Sequence, residues 1–211
     1  MLFQETAYEV VPGARHYPGY LEPDRQAQLL AEIRLAVRSA PLYRPAMPRT
    51  GKAFSVQMTN CGALGWVSDK SGGYRYQDTH PVTGQAWPPM PDSLVEIWRD
   101  LAPDAAPPEA ALINFYDPTA RLGLHRDEDE EDFSAPVISL SLGDSARFRI
   151  GGVERGGKTR SVRLASGDAF VLAGPARLAH HGIDRIFAGT SDLLSAGGRI
   201  NITMRRVRKP E

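Results

Sequence analysis

The chain has one cysteine, Cys61, in 211 residues, which excludes an internal disulfide and suits a reducing compartment. It has no apolar run near the roughly 20 residues that a membrane-spanning helix needs. The N-terminus, "MLFQETAYEVVPGARHYPGY", lacks the basic-then-apolar layout of a secretory leader. A soluble, cytoplasmic protein is expected, with no membrane partner. Net charge is also absent, 25 Lys and Arg balancing 25 Asp and Glu. The balance is uneven, because six acids fill positions 127–132 and leave 19 acids against 25 bases elsewhere. A basic excess of that kind can attract phosphate backbones, although charge alone fits an ordinary mixed surface with one acidic loop.

Apolar content is ordinary and no repeat or low-complexity linker breaks the chain, so one domain spanning 1–211 is expected, with nothing demanding more than a monomer. Residues 24–38, "DRQAQLLAEIRLAVR", place Leu29, Leu30, Ile33 and Val37 at helical spacing behind Pro23. A second helix is expected over 93–101, with Ser93 and Glu96 as a capping box and Leu94, Ile97, Trp98 and Leu101 on one face. Residues 41–92 are rich in Pro, Gly, Trp and Tyr and hold no lasting period. After Pro108 the texture changes to short strands split by Gly and Pro. "ALINFY" is apolar, in "PVISLSLG" Ile138, Leu140 and Leu142 alternate with Ser139 and Ser141, and "ARFRI" alternates too, followed by "SVRL", "DAFVLAG" and "RINITMRRV". Such strands without intervening helices predict a sandwich, barrel or jelly roll, and the fold class is α+β.

Three motifs fail on context. "GVERGGKT" (Gly152 to Thr159) matches a phosphate-binding loop letter for letter, but the alternating "RSVRL" follows where a helix is required, so a Gly-rich hairpin is expected. "NIT" (Asn201 to Thr203) matches a glycosylation sequon that an intracellular chain would not use. The contiguous acids of 127–132 lack the spacing and glycine of a calcium loop.

One constellation survives. His125 and Asp127 are two apart, so on extended chain both side chains leave one face. Downstream, "AHHGI" offers His180 and His181, and spacing leaves both eligible. Two histidines and a carboxylate can hold one face of an octahedral metal, leaving the other open, as in non-haem Fe(II) oxygenases. In "RINITMRRV" the period of two puts Arg199, Asn201, Thr203 and Arg205 on one face and Ile200, Ile202 and Met204 on the other. The polar row could face solvent. Alternatively it lines a cavity, where buried guanidiniums would require an anion such as a small dicarboxylate.

Six stretches carry a resemblance to a known family: "TNCGALGW" (59–66), "WPPMP" (87–91), "LINFYDPTARLGLHRDEDE" (112–130), "APVISLSLG" (135–143), "GDAFVLAGPARLAHHGI" (167–183) and "RINITMR" (199–205). In order, they make the C-terminal two-thirds resemble the AlkB-type Fe(II)/2-oxoglutarate dioxygenases, which repair alkylated nucleic acid. The resemblance implies a double-stranded β-helix (jelly roll) core over about 109–207, N-terminal supporting helices, and an aromatic-rich nucleotide-recognition lid within about 41–92. It implies His125, Asp127 and His181 as iron ligands, with His181 preferred because it directly precedes Gly-Ile. It implies Asn114, Tyr116, Arg199, Asn201 and Arg205 around 2-oxoglutarate, with Arg199 clamping the far carboxylate. It implies Trp66, Tyr74, Tyr76, Asp129 and Arg155 as substrate contacts.

The implied cofactors are Fe(II), 2-oxoglutarate and O2. The implied reaction is oxidative demethylation of bases such as 1-methyladenine and 3-methylcytosine in single-stranded DNA, with RNA as a further candidate, releasing succinate, CO2 and formaldehyde. Extrusion costs least for a damaged or unpaired base. Asp129 would attract such cationic lesions. Glu128, Glu130, Glu131 and Asp132 are expected in a solvated or locally structural loop. Two rivals remain: a hydroxylase of protein or small molecules with the same cofactors, and a non-enzymatic metal-binding jelly-roll module.

Overall fold

The computed structural model describes residues 7–210; the first six residues, part of the stretch read above as lacking a leader, lie outside the described residues. Two antiparallel sheets face each other. The larger has the spatial order β1 (Tyr8–Val11), β2 (Ala14–Tyr17), β11 (Ala169–Leu172), β8 (Val137–Gly143), β13 (Arg199–Arg205), β6 (Ala110–Tyr116) and β3 (Gln57–Gly62). The smaller runs β10 (Arg160–Leu164), β9 (Ser145–Ile150), β12 (His181–Phe187) and β7 (Leu122–His125). A separate hairpin joins β4 (Gly65–Asp69) to β5 (Gly73–Gln77). This is the expected α+β jelly roll.

The alternating strands explain the layers. On one face of the large sheet, Ile138, Leu140, Leu142, Ile202 and Met204 pack under the helices α1 (Pro23–Ser39) and α2 (Asp92–Leu101), with Leu29, Ile33, Leu94, Ile97 and Trp98 in the same core. Its other face meets the small sheet, where Phe148 and Phe170 rings lie 4.7 Å apart among buried aliphatics. Burying both faces is what a two-sheet sandwich with a helical outer layer requires. Among the described residues, no helix is long and apolar enough to cross a membrane.

Two local expectations change. The capping box is not formed: α2 starts at Asp92 behind Pro91 without a side-chain cap, and the Ser93 hydroxyl donates to Glu32 Oε1 on α1 (2.8 Å). Packing between the helices takes the hydroxyl that the cap needed. The aperiodic 41–92 segment is also more ordered than its pattern suggests, since β3, β4 and β5 all lie within it. The loop read as a false phosphate site connects the antiparallel pair β9 and β10, as a hairpin should.

Gly182 lets β12 lie close to β7. A Cβ there would sit 2.5 Å from the Leu122 carbonyl oxygen and 2.7 Å from that of Gly123. We expect Gly182→Ala to lower stability by about 2–3 kcal/mol in urea denaturation. Gly123→Ala, with nothing within 4 Å of its Cβ position, should stay within about 1 kcal/mol of the parent. Equal stabilities of the two variants would refute the close approach as a constraint.

Candidate metal and co-substrate site

The pairing of β12 with β7 sets His181 directly across from His125. Their rings lie 4.6 Å apart, and the Asp127 carboxylate closes the group, 3.7 Å from His125 Nε2 and 3.8 Å from His181 Nε2. One potential ligand atom from each residue falls within a 4.8 Å circle. Each imidazole points its Nδ1 at the backbone carbonyl two residues earlier: His125 at Gly123 (2.9 Å) and His181 at Ala179 (3.0 Å). A ring that donates through Nδ1 keeps Nε2 as a lone-pair ligand, which is how the outer hydrogen bond fixes a metal-binding tautomer. Burial, reinforced by His125, pushes the His181 pKa down to about 4 against the pull of Asp127, so this imidazole is neutral at pH 7. His180 is outside the group; its Nδ1 lies 3.2 Å from the Gly152 carbonyl.

Asp127 is buried and held by cations. Burial by itself would raise its pKa, but Arg205, with the two histidines, outweighs it and keeps the carboxyl well below the usual carboxylate range. Arg205 Nη2 lies 2.9 Å from Asp127 Oδ2, and the same guanidinium reaches Glu130 Oε1 at 3.4 Å. Arg177 grips the same loop from below. Its Nη1 donates to the Asp127 carbonyl (2.8 Å), its Nε to that of Ala135 (2.9 Å), and its Nη2 to Glu130 Oε2 (3.1 Å). Glu130 and Asp132 are therefore buried, the locally structural one of the two alternatives expected for this loop. Two buried guanidiniums need the Glu130 charge, and Asp132 accepts from Ser134 N at 2.9 Å within a tight turn.

The polar row of β13 faces the space between the sheets. Arg199 is 1 % exposed, and its Nη2 donates to Ser141 Oγ at 3.0 Å. Its Nε and Nη1 find no hydrogen-bond partner among the described residues, and neither does Asn114 Oδ1. Tyr116 lies under the same guanidinium, Cζ to ring centroid 5.4 Å. Asn201 Nδ2 is tied to Ser139 Oγ (2.6 Å) and the Leu140 carbonyl (3.0 Å). A desolvated arginine with two free donors matches a carboxylate that accepts in bidentate fashion. The donor set thus fits both a divalent iron, through two imidazole nitrogens and a carboxylate, and a dicarboxylate co-substrate.

These residues line one cavity of about 710 Å³, whose mouth is bordered by Trp66, Tyr74, Asp129 and Arg155. Trp66 and Tyr74 are stacked at 5.5 Å with an interplanar angle of 22°, and Tyr74 is half exposed. The Trp66 indole donates to Asp129 Oδ2 (2.7 Å), and its backbone is pinned through both amide atoms of buried Asn60 (3.0 Å each). Burial raises the Asp129 pKa, with Trp66 opposing. Tyr76 is not brought to the cavity with its neighbours; its hydroxyl donates to Glu130 beneath the loop. Sequence reasoning missed the roles of Arg177, Glu130 and Asn60. All three lie in stretches that carry the resemblance, but none sits in a periodic pattern, so nothing local marked what each one bonds. Ser139 and Ser141 were visible as an alternating row, but not as partners for Arg199 and Asn201.

Comparison with known proteins shows the family. The profile of the 2OG-Fe(II) oxygenase superfamily matches residues 13–205. An alpha-ketoglutarate-dependent dioxygenase AlkB homolog of Caulobacter vibrioides is 52% identical over 201 residues, covering 94% of this chain and 90% of that protein. The DNA N(6)-methyladenine demethylase ALKBH1C of Arabidopsis thaliana is 29% identical over 225 residues, covering 92% of this chain and 48% of that protein. The solved structure of OsALKBH1 superposes with a TM-score of 0.79 at 32% identity, covering 95% of this chain and 99% of that one.

Two outcomes test the site. Titration calorimetry with Co(II) should show one tight site that is lost in His125→Ala and His181→Ala and kept in His180→Ala, with circular dichroism unchanged. Retained binding in either of the first two variants would refute the ligand set. Glu130→Gln removes the charge shared by Arg177 and Arg205, and should cost about 3–5 kcal/mol in urea denaturation while weakening Co(II) binding. Parent-like stability would mean that the loop does not depend on this charge.

Proposed function

The chain belongs to the 2OG-Fe(II) oxygenase superfamily, among its AlkB-type dioxygenases, and from that premise we propose that it oxidatively removes N-methyl groups from bases such as 1-methyladenine and 3-methylcytosine. The substrate is single-stranded DNA, with RNA as a second candidate, and the enzyme acts as a cytoplasmic monomer. One observation carries this reading: a stacked aromatic pair and a carboxylate stand at the mouth of a cavity that also contains the His-Asp-His group and a buried arginine with two donor nitrogens unpaired among the described residues. Bound there, Fe(II) with 2-oxoglutarate and O2 would supply the oxidation of an N-methyl group, with succinate, CO2 and formaldehyde as products.

The chain's own residues divide the remaining work. His125, Asp127 and His181 hold the metal, and the fixed tautomers mean that little rearrangement is needed to present three lone pairs. Arg199, with Tyr116 across its face, takes the far carboxylate of the co-substrate. Asn114 and Asn201 offer amide groups along its length, and Arg205 holds Asp127 beside it while adding positive charge. At the mouth, Trp66 and Tyr74 offer a π-face for the extruded base. Asp129 accepts from its exocyclic amine and favours a cationic lesion. Arg155, on the hairpin loop, meets a phosphate, and Tyr76 supports the lid from below.

A methylated single-stranded oligonucleotide incubated with Fe(II), ascorbate and 2-oxoglutarate should yield succinate and the restored base in equal amounts. Succinate without restored base would replace this reading with hydroxylation of another substrate, and neither product would favour a metal-binding module. Arg199→Ala should abolish turnover in a folded chain. Trp66→Ala, losing about 1–3 kcal/mol of stacking, should raise KM by about 10-fold or more with a smaller effect on kcat.

A further inference from the structure

The outward face of the small sheet carries arginines that the site does not use. On β9, Ala146, Phe148 and Ile150 face the core, so Arg147 and Arg149 face out. Arg147 has Arg163 of β10 as its partner on one side and Arg185 of β12 on the other. Three guanidiniums therefore share one row across three strands, with Arg149 one outward position closer to the cavity mouth. Both Arg163 and Arg185 rest against the Phe187 ring, at 4.9 and 5.1 Å from its centroid. Asp184 is the acid among them, 2.6 Å from Arg147 and 3.9 Å from Arg149. Four cations against one anion leave this face at a net +3 in a chain whose overall charge is zero.

Like charges directly opposite on neighbouring strands destabilise a sheet. A row of three is thus a local cost that an external anion would relieve. Its position suggests which anion. Arg149 adjoins Ile150, whose partner across β12 is His181 of the metal group. The loop from Gly151 to Thr159 that follows β9 borders the cavity mouth with Val153, Glu154 and Arg155. A strand leaving the mouth over this loop would come down onto Arg149 and then onto the row of three.

We propose that this arginine face binds the phosphodiester backbone of single-stranded nucleic acid flanking the base in the cavity. The proposal rests on the nucleic-acid reading of the site and extends it to several nucleotides beyond the lesion. Arginine suits the task because its planar fork pairs with phosphate oxygens in bidentate fashion. The contacts would be independent of sequence and would weaken with salt through counterion release. They would raise affinity for long substrates while leaving the chemistry at the bound base unchanged.

The test uses the double variant Arg163→Ser/Arg185→Ser in the full-length protein, with Arg163→Lys/Arg185→Lys as the charge-retaining control. Fluorescence anisotropy with an unmodified single-stranded 20-mer reads the face without turnover. We expect the serine variant to bind about 10-fold more weakly at low salt, with the slope of log K against log salt reduced by about 1.4 for two lost phosphate contacts. The lysine variant should recover most of both. Demethylation of a trinucleotide centred on the methylated base should be unchanged in all three proteins. Unaltered 20-mer affinity and slope in the serine variant would overturn the proposal, as would an equal loss on the trinucleotide. If arginine-dependent 20-mer binding persists but no protein demethylates, the assigned chemistry fails and this surface stands.

Discussion

The site depends on the ion pair between Asp127 and Arg205. Each is nearly inaccessible to solvent, and neither charge could remain there alone, since an unpaired buried ion costs several kcal/mol. Once paired, they commit their neighbours. Arg205 has more donors than Asp127 can accept, so Glu130 enters as a second carboxylate, and Glu130 in turn needs Arg177. Arg177 then spends its remaining donors on the backbone carbonyls of Asp127 and Ala135, the two ends of the acidic loop. The result is a carboxylate that stays ionised and aimed at two imidazoles. Removing any one member leaves an uncompensated charge, so the network behaves as a unit.

The same logic of satisfied and unsatisfied groups divides the large sheet. Its outer face, under the helices, is apolar and complete. Its inner face carries serine, asparagine, threonine and arginine on adjacent strands, and most of these groups bond to one another. Arg199 and Asn114 are the exceptions on this face, with the Nε and Nη1 of one and the Oδ1 of the other unpaired among the described residues. Buried polar groups left open in a sheet that pairs most of its others mark where a ligand would bind. The period of two in "RINITMRRV" thus encodes both the helix-covered core and the polar wall of the cavity.

Legibility followed the period. Strands whose residues alternate cleanly, such as β8 and β13, were readable, because each presents one apolar and one polar face. β3 was not, since Thr59 and Asn60 are buried and bonded to backbone instead of facing water. The hairpin of β1 and β2 was missed because its four-residue strands are too short to establish a pattern. The His125, Asp127 and His181 group was accessible from spacing and resemblance. The charge that supports it was not, because a run of six acids looks alike in sequence whether a given carboxylate faces water or a buried arginine. Glu130 was left between solvated and structural for that reason, and Ser93 was misread because a capping pattern says nothing about a neighbouring helix competing for its hydroxyl.

The lid hairpin shows how the support and the recognition surfaces are joined. Trp66 and Tyr76 are register partners on β4 and β5, yet their polar atoms reach two different acids of one loop. Trp66 bonds to Asp129 at the cavity mouth, while Tyr76 bonds to Glu130 in the buried network and lies 3.4 Å from Arg205. The loop that bears Asp127 is thus stitched to the hairpin at two consecutive positions, one wet and one dry. The outer stitch lies where Asp129 is exposed, so other donors can reach the same carboxylate. The inner stitch is not open in this way, because the Tyr76 hydroxyl reaches into the buried network and its removal would leave Glu130 short of a donor. Loss of the Trp66–Asp129 bond would therefore free the aromatic edge of the hairpin while Tyr76 still anchors it to the loop that carries Asp127.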